Sequence, residues 1–144
     1  MHLRFLSLVA LLIAAAACRP GFKVENYPTP EAIFAAGVAE FEARRWDNAA
    51  LAFEQLTSTL SPRDSLVARS YWYLGRAQQQ RKDWLLAAQT FQRLLDVAPA
   101  DTIADDAALE IARSYRKLWR KPSLDSQYGE TALAAYRQML GLYP

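Results

Sequence analysis

Asp105 and Asp106 are adjacent acids, and two carboxylates that share one reacting bond can act as general acid and general base. On a helix, however, adjacent side chains point about 100° apart, so we interpret this pair as part of a helix N-terminus. The only histidine is His2 and the only cysteine is Cys18, which leaves no His and Cys set for a metal site. The residues therefore predict a protein that is not an enzyme and that uses no cofactor and no metal ion.

The charge balance and the absence of nucleotide motifs restrict the partners. The chain of 144 residues carries 17 Lys and Arg against 15 Asp and Glu, without the basic excess that is typical of nucleic-acid readers. It has no P-loop and no dinucleotide fingerprint. We therefore expect protein partners, and neither a nucleic acid nor a small-molecule substrate.

The first seventeen residues have the organisation of an export signal. Arg4 supplies a positive charge, residues 5–17 form an apolar run, and the small residues Ala15 to Ala17 precede a cleavage point. The apolar run is too short to span a bilayer comfortably. Residues 1–17 are therefore predicted to be a signal peptide, whose removal would also remove His2.

Cys18 would become the first residue of the mature chain, and the sequence AAAC resembles a bacterial lipobox, although Ala stands where Leu is usual. The alternative is an ordinary signal cleavage site followed by an incidental cysteine. We favour lipidation (palmitate and related acyl chains on Cys18), because a single cysteine in an oxidising compartment has no disulfide partner. Each buried CH₂ contributes about 0.8 kcal/mol, so two or three acyl chains would anchor the protein firmly. By analogy with enterobacterial lipoproteins, Arg19 in the next position favours the outer membrane.

Residues 18–29 are predicted to be the lipidated cysteine and a flexible tether, because residues 19–29 contain two prolines, one glycine and no periodicity. Such a coil spans roughly 17–20 Å, which would keep the domain near the bilayer. Thr29 and Pro30 then predict the start of a helix, with a hydroxyl N-cap and a proline in the first turn. Asp47 and Asp64 are predicted to cap later helices.

Residues 71–99 have the spacing of small, large and proline residues that is typical of a tetratricopeptide (TPR) repeat. A shift of the frame by 38 residues aligns an earlier copy with it, and a looser third copy follows with extra residues around 118–126. The matching positions are Gly37, Trp46, Ala49 and Phe53 in the first copy, Gly75, Trp84, Ala87, Phe91, Leu94 and Pro99 in the second, and Ala112, Ala132, Tyr136, Met139 and Pro144 in the third.

The repeats predict an all-α, TPR-like α-solenoid of three helical hairpins, or six helices. The predicted TPR domain covers residues 30–144, divided roughly into 30–62, 64–99 and 101–144. Alanine and leucine dominate the periodic regions and runs of β-branched residues are missing, so no strand is expected.

The first helix of each repeat lines a concave groove in TPR folds, and the repeat frame carries nine residues onto that face. They are Phe34, Val38 and Phe41 in the first repeat, Trp72, Arg76 and Gln79 in the second, and Leu109, Arg113 and Arg116 in the third. Aromatic and arginine side chains are frequent anchors at peptide interfaces. The alternative for the three aromatic residues is packing between repeats. Trp46 and Trp84 are predicted to be core residues.

Together, the lipobox, the Pro-containing tether, the repeats and the extra residues of the third repeat resemble the BamD-type (ComL-like) outer-membrane assembly lipoproteins. The resemblance covers residues 18–144, but that family has about five repeats, so the chain resembles a C-terminally truncated member.

This resemblance implies a lipid-anchored, non-enzymatic subunit of the β-barrel assembly machinery at the periplasmic face of the outer membrane. Its implied partners are a BamA-like barrel subunit and unfolded outer-membrane proteins, whose targeting signals end in an aromatic residue with a free carboxylate. The alternative is a general periplasmic TPR scaffold for another cell-envelope or secretion complex.

Overall fold

The computed structural model describes residues 21–120 and 126–143, which contain six α-helices, one short 3-10 helix and no strand. The predicted all-α fold is thereby confirmed. Residues 1–17 and Cys18 lie outside the described residues, so the signal peptide and the lipid anchor stay predictions. The α-helices are α1 (Pro30–Glu42), α2 (Trp46–Thr59), α3 (Ser65–Gln80), α4 (Trp84–Val97), α5 (Ala104–Leu118) and α6 (Gln127–Leu142).

Each helix packs on the helix that follows it in the chain, so three helical hairpins stack in sequence order. This successive packing is that of a TPR solenoid, in which each hairpin buries its apolar face only against its neighbours. Upstream, the predicted tether contains a 3-10 helix (Val24–Asn26) that contacts α2. No helix in the described ranges has both the length and the apolar character needed to cross a bilayer.

Small residues set the distance between the two helices of a hairpin. A Cβ atom added to Gly37 would lie 2.9 Å from the Phe53 ring, and one added to Gly75 would lie 2.7 Å from the Phe91 ring. Both phenylalanines are completely buried. The two glycines therefore let an aromatic ring of the second helix rest directly on the backbone of the first, as the repeat spacing predicts.

Two of the six α-helices in the described ranges begin with a side-chain N-cap hydrogen bond, and both of these caps were predicted. Thr29 Oγ1 accepts a hydrogen bond from Ala32 N at 3.2 Å, and Asp64 Oδ1 accepts one from Leu66 N at 2.9 Å, as predicted. The prediction that Asp47 caps α2 is wrong. The helix begins one residue earlier, and Asp47 lies in its first turn, where its carboxylate is 3.2 Å from Arg81 Nε.

The first two hairpins turn through the same backbone motif. Arg44 and Lys82 have positive φ angles of 58° and 68°. At the first turn, Arg45 N donates a hydrogen bond to Glu40 O at 2.9 Å. Inside this bond, Arg44 N donates to Phe41 O, also at 2.9 Å. These two hydrogen bonds form the Schellman motif that ends a helix. The residue with the positive φ angle in this motif is usually glycine.

Replacing Arg44 by Gly is expected to raise the free energy of unfolding by about 0.5–1 kcal/mol, because glycine adopts a positive φ without the Cβ clash of an L-residue. Urea unfolding followed by circular dichroism would measure the change. The control is Arg44→Ala, which removes the same charge but keeps the Cβ atom and should give no gain. Equal stabilisation by both variants would contradict the backbone explanation.

Candidate functional site

The first joint, where α1 meets α3, is filled with aromatic rings. The Tyr73 ring centroid lies 5.8 Å from that of Phe34 and 5.4 Å from that of Phe41. Phe34 keeps only 8% of its surface exposed, and Val38 and Phe41 are half-buried against the same core cluster. These three predicted groove residues thus pack between the first two repeats, and ligand contact by any of them stays a prediction.

The second joint, where α3 meets α5, has polar side chains at the same repeat positions. Gln79 takes the place of Phe41, and Glu110 takes the place of Tyr73. The Gln79 amide donates to Glu110 Oε2 at 2.8 Å and to Ser114 Oγ at 3.0 Å. Because all three residues are buried, these hydrogen bonds satisfy groups that water cannot reach. The second joint is therefore polar where the first is aromatic.

Glu110 joins two arginines from neighbouring repeats. Its Oε1 atom accepts a hydrogen bond from Arg113 Nη1 at 2.7 Å and a longer one from Arg76 Nη1 at 3.4 Å. The guanidinium carbon of Arg76 also lies 5.6 Å from the centroid of the Trp72 ring, within the range of a cation–π contact. Glu110 and Trp72 together hold Arg76 at the mouth of the second joint.

An open cleft of about 480 Å³ lies over the second joint, and we refer to it as the basic cleft. Five positively charged side chains and one carboxylate line it, so it has an excess of positive charge. Its lining residues are Arg76, Gln79, Gln80, Lys82, Trp84, Glu110, Arg113, Arg116 and Lys117.

The structure brings together four of the nine predicted groove residues in the basic cleft, which are Arg76, Gln79, Arg113 and Arg116. The other five do not line it. Phe34, Val38 and Phe41 belong to the first joint, Trp72 lies beneath Arg76 with its ring 5.5 Å from Phe91, and Leu109 is half-buried on α5.

Trp84 is the aromatic residue of the basic cleft, whereas its position in the repeat predicts a core residue. It is only half-buried, because it is the first residue of α4 and therefore lies at the end of the hairpin. Lys117 Nζ lies 5.8 Å from the centroid of its ring. Trp46, the matching residue of the first repeat, is also half-buried and contacts the Phe41 ring at 5.0 Å.

The arginines of the basic cleft are suited to bind a carboxylate. The contacts of Arg76 and Arg113 with Glu110 use only Nη1 of each guanidinium group. Each planar fork therefore keeps further N–H groups that can bind a carboxylate through two parallel hydrogen bonds. Within residues 21–120 and 126–143, no three His, Cys, Asp or Glu side chains lie close enough together to hold a metal ion.

Comparison with known families agrees with this architecture. Residues 69–100 match the family described as tetratricopeptide repeat, and this segment covers most of α3, the turn at Lys82 and all of α4. Among curated proteins, none matches the chain. Three hairpins stacked in sequence order, one of which matches the repeat itself, support a tetratricopeptide-repeat protein.

Proposed function

We propose that this protein binds an extended segment of a partner protein in the basic cleft, through a carboxylate of that segment and an aromatic side chain beside it. The observation that carries the proposal is the convergence of Arg76 and Arg113 on one carboxylate oxygen of Glu110, in a cleft that Trp84 also lines. Helical repeats of this kind typically serve as interaction scaffolds. A chain terminus that ends in an aromatic residue supplies both groups that the cleft can bind.

We propose further that the partner segments belong to unfolded outer-membrane proteins. The chain itself would be a BamD-type lipoprotein of the β-barrel assembly machinery. The protein would be anchored through acylated Cys18 at the periplasmic face of the outer membrane and would contact a BamA-like subunit. The long connection of the third repeat supports this reading, since α5 ends at Leu118 and α6 begins at Gln127. The enlarged loop is one of the features that resemble the family.

The ligand class can be tested by fluorescence anisotropy with a labelled peptide from the C-terminus of an outer-membrane barrel protein, ending in phenylalanine. We expect saturable binding that weakens as the salt concentration rises, because part of the attraction is between exposed charges. A peptide of the same composition with its aromatic residue moved away from the terminus is the control. Equal binding of both peptides would contradict the proposed recognition of the terminus.

The partner complex can be tested separately by affinity capture from detergent-solubilised envelopes. Recovery of a BamA-like subunit would support the assembly role. The second candidate is a periplasmic TPR scaffold of another envelope or secretion complex, and it is favoured by the fact that the family match extends over the repeat alone. Recovery of secretion or cell-wall proteins without a barrel subunit would support this second candidate.

Lipid anchoring can be tested with a Cys18→Ala variant. We expect the variant to appear in the soluble periplasmic fraction, because loss of the thiol removes the acylation point. The parent protein should fractionate with the outer membrane. A mature Cys18→Ala variant that still sediments with membranes would contradict the anchor.

Replacing Glu110 by Gln is expected to raise the affinity for the acidic terminus of the peptide by about three- to tenfold, a gain of roughly 1 kcal/mol. The substitution keeps the side-chain volume but removes a buried negative charge that competes for Arg76 and Arg113. Asp106→Asn, an exposed acid on the same helix, is the control and should change the affinity little. Weaker binding by the Glu110 variant would contradict this electrostatic role.

A further inference from the structure

The positively charged side chains of the basic cleft fall into two groups. Arg76 and Arg113 occupy the same position of the repeat frame, and both contact the one carboxylate of the cleft, so we call them the inner arginines. Lys82, Arg116 and Lys117 lie closer to the ends of the helices or in the turn, and we call them the outer cations. The two groups differ in whether the protein itself supplies a carboxylate for them.

The outer cations have no carboxylate partner in the part of the chain that the structure describes. All three side chains are exposed, and none of them forms an ion pair, whereas both inner arginines do. The side chain of Lys117 contacts the ring of Trp84 instead. A cleft that is lined by charges of one sign concentrates ions of the opposite sign. The outer cations therefore favour an anionic group beyond the one that the inner arginines bind.

The repeat architecture itself does not require the outer cations of α5. At the first joint, the positions of Arg116 and Lys117 are held by Gln79 and Gln80, and the last turn of α3 has no basic residue. The dipole of α5 accounts for cations in its own last turn. It does not account for Lys82, which belongs to the turn between α3 and α4 and lines the same cleft. Cations from two hairpins thus meet at the same end of the basic cleft.

The spacing between the two groups matches the spacing of side chains in an extended peptide. Arg116 and Lys117 follow Arg113 by three and four residues, which corresponds to about 4.5–6 Å along the helix axis. An extended chain advances about 3.3 Å per residue, so two residues span about 6.6 Å. A peptide whose terminal carboxylate binds the inner arginines can therefore place the side chain of its third residue from the C-terminus among the outer cations.

Trp84 determines which face of the peptide is turned towards the outer cations. In the proposed function, the terminal aromatic side chain of the partner binds beside Trp84. Lys117 Nζ lies 5.8 Å from the centroid of the same ring. Because every second side chain of an extended chain lies on the same face, the third residue from the C-terminus shares this face with the terminal residue. The penultimate side chain points to the opposite face.

We infer that the partner segment carries an acidic side chain at the third position from its C-terminus and that the outer cations bind it. This inference rests on the proposed function, because the terminal carboxylate fixes the register of the segment in the cleft. The ligand class is then an acidic residue, any residue, and an aromatic residue with a free carboxylate. A single exposed ion pair is weak, but three cations act on one carboxylate here. They would select among the C-terminal segments that the inner arginines accept.

Fluorescence anisotropy with three labelled peptides that end in phenylalanine tests the inference. The first peptide has Asp at the third position from the C-terminus, the second has Asn there, and the third has the Asp moved to the penultimate position. We expect the parent protein to bind the first peptide about three- to tenfold more tightly than either of the others. Equal binding of the first two peptides, or tightest binding of the third, would overturn the inference.

A double variant, Arg116→Gln with Lys117→Gln, shows whether the outer cations cause this preference. We expect the advantage of the Asp peptide over the Asn peptide to fall below about twofold in this variant. The matched control, Arg93→Gln with Arg137→Gln, removes the same charge from exposed positions outside the basic cleft and should keep the advantage. An advantage that survives in the double variant would overturn the inference.

Amidation of the peptide C-terminus separates this inference from the proposed function. The double variant should still prefer the free terminus to the amidated one, because the inner arginines are unchanged. A parent protein that prefers the free terminus but binds the Asp and Asn peptides equally would overturn the inference and leave the proposed function standing. Equal binding of free and amidated peptides by the parent protein would overturn the proposed function, and the inference with it.

Discussion

Replacing Gly75 by Ala is expected to lower the free energy of unfolding by about 1–3 kcal/mol. In an exposed helix, the same substitution would stabilise by nearly 1 kcal/mol, because alanine is the better helix former. At Gly75, however, the new methyl group would lie 2.7 Å from two carbon atoms of the Phe91 ring. Phe91 is completely buried and cannot move aside without disturbing the cluster that joins α4 to α5. We therefore expect steric overlap to outweigh helix propensity.

The matched control is Gly141→Ala on α6. No atom lies within 4 Å of the added methyl group there, so the substitution should raise the free energy of unfolding by up to about 1 kcal/mol. Thermal unfolding followed by circular dichroism compares the two variants, and a loss of 1 kcal/mol should lower Tm by about 3–5 °C in a domain of this size. Stabilisation by Gly75→Ala would show that the close approach of α3 and α4 is not required.

Replacing Arg76 by Glu is expected to weaken binding of a carboxylate-terminated peptide by about 10- to 100-fold, or roughly 1.4–2.8 kcal/mol. The variant removes one of the two guanidinium groups that converge on Glu110. It also brings a second carboxylate towards Glu110, whose Oε1 atom lies 3.4 Å from Arg76 Nη1 in the parent protein. Repulsion between like charges disfavours any further anion in the same cleft.

The matched control is Arg93→Glu, which changes the net charge by the same amount. Arg93 is exposed on α4 and does not line the basic cleft. We expect it to lower the affinity by less than about threefold, since exposed charges at a distance are largely screened. Circular dichroism should show that both variants keep the helical fold. Equal weakening by the two variants would mean that net charge, and not the cleft, determines binding.

The fold could be predicted because its determinants recur locally in the sequence. Gly37 and Gly75 each allow a phenylalanine sixteen residues later to rest on the helix backbone, and both pairs are in contact as the spacing predicts. The start of α2 was predicted less well. Arg45 O accepts a hydrogen bond from Ala49 N, so the backbone enters the helix before Asp47 can cap it.

The candidate site could be predicted only in part. Whether a joint between two repeats is aromatic or polar depends on the residue that the later repeat places against the first helix of the earlier one. The repeat frame puts Arg76, Gln79 and Arg113 on the same side of the solenoid, and all three line the basic cleft. It treated the first and second joints alike, although Tyr73 closes the first and Glu110 leaves the second polar. A comparison of those two aligned positions in the sequence would have indicated the difference.

Recognition of a free carboxylate by the basic cleft is the central claim, and the most direct test compares one peptide with and without amidation of its C-terminus. The parent protein should bind the amidated peptide at least about tenfold more weakly, because the neutral amide cannot accept charge-assisted hydrogen bonds from Arg76 and Arg113. In Arg76→Glu, the difference between the two peptides should largely disappear. Equal affinities of the parent protein for both peptides would contradict the claim.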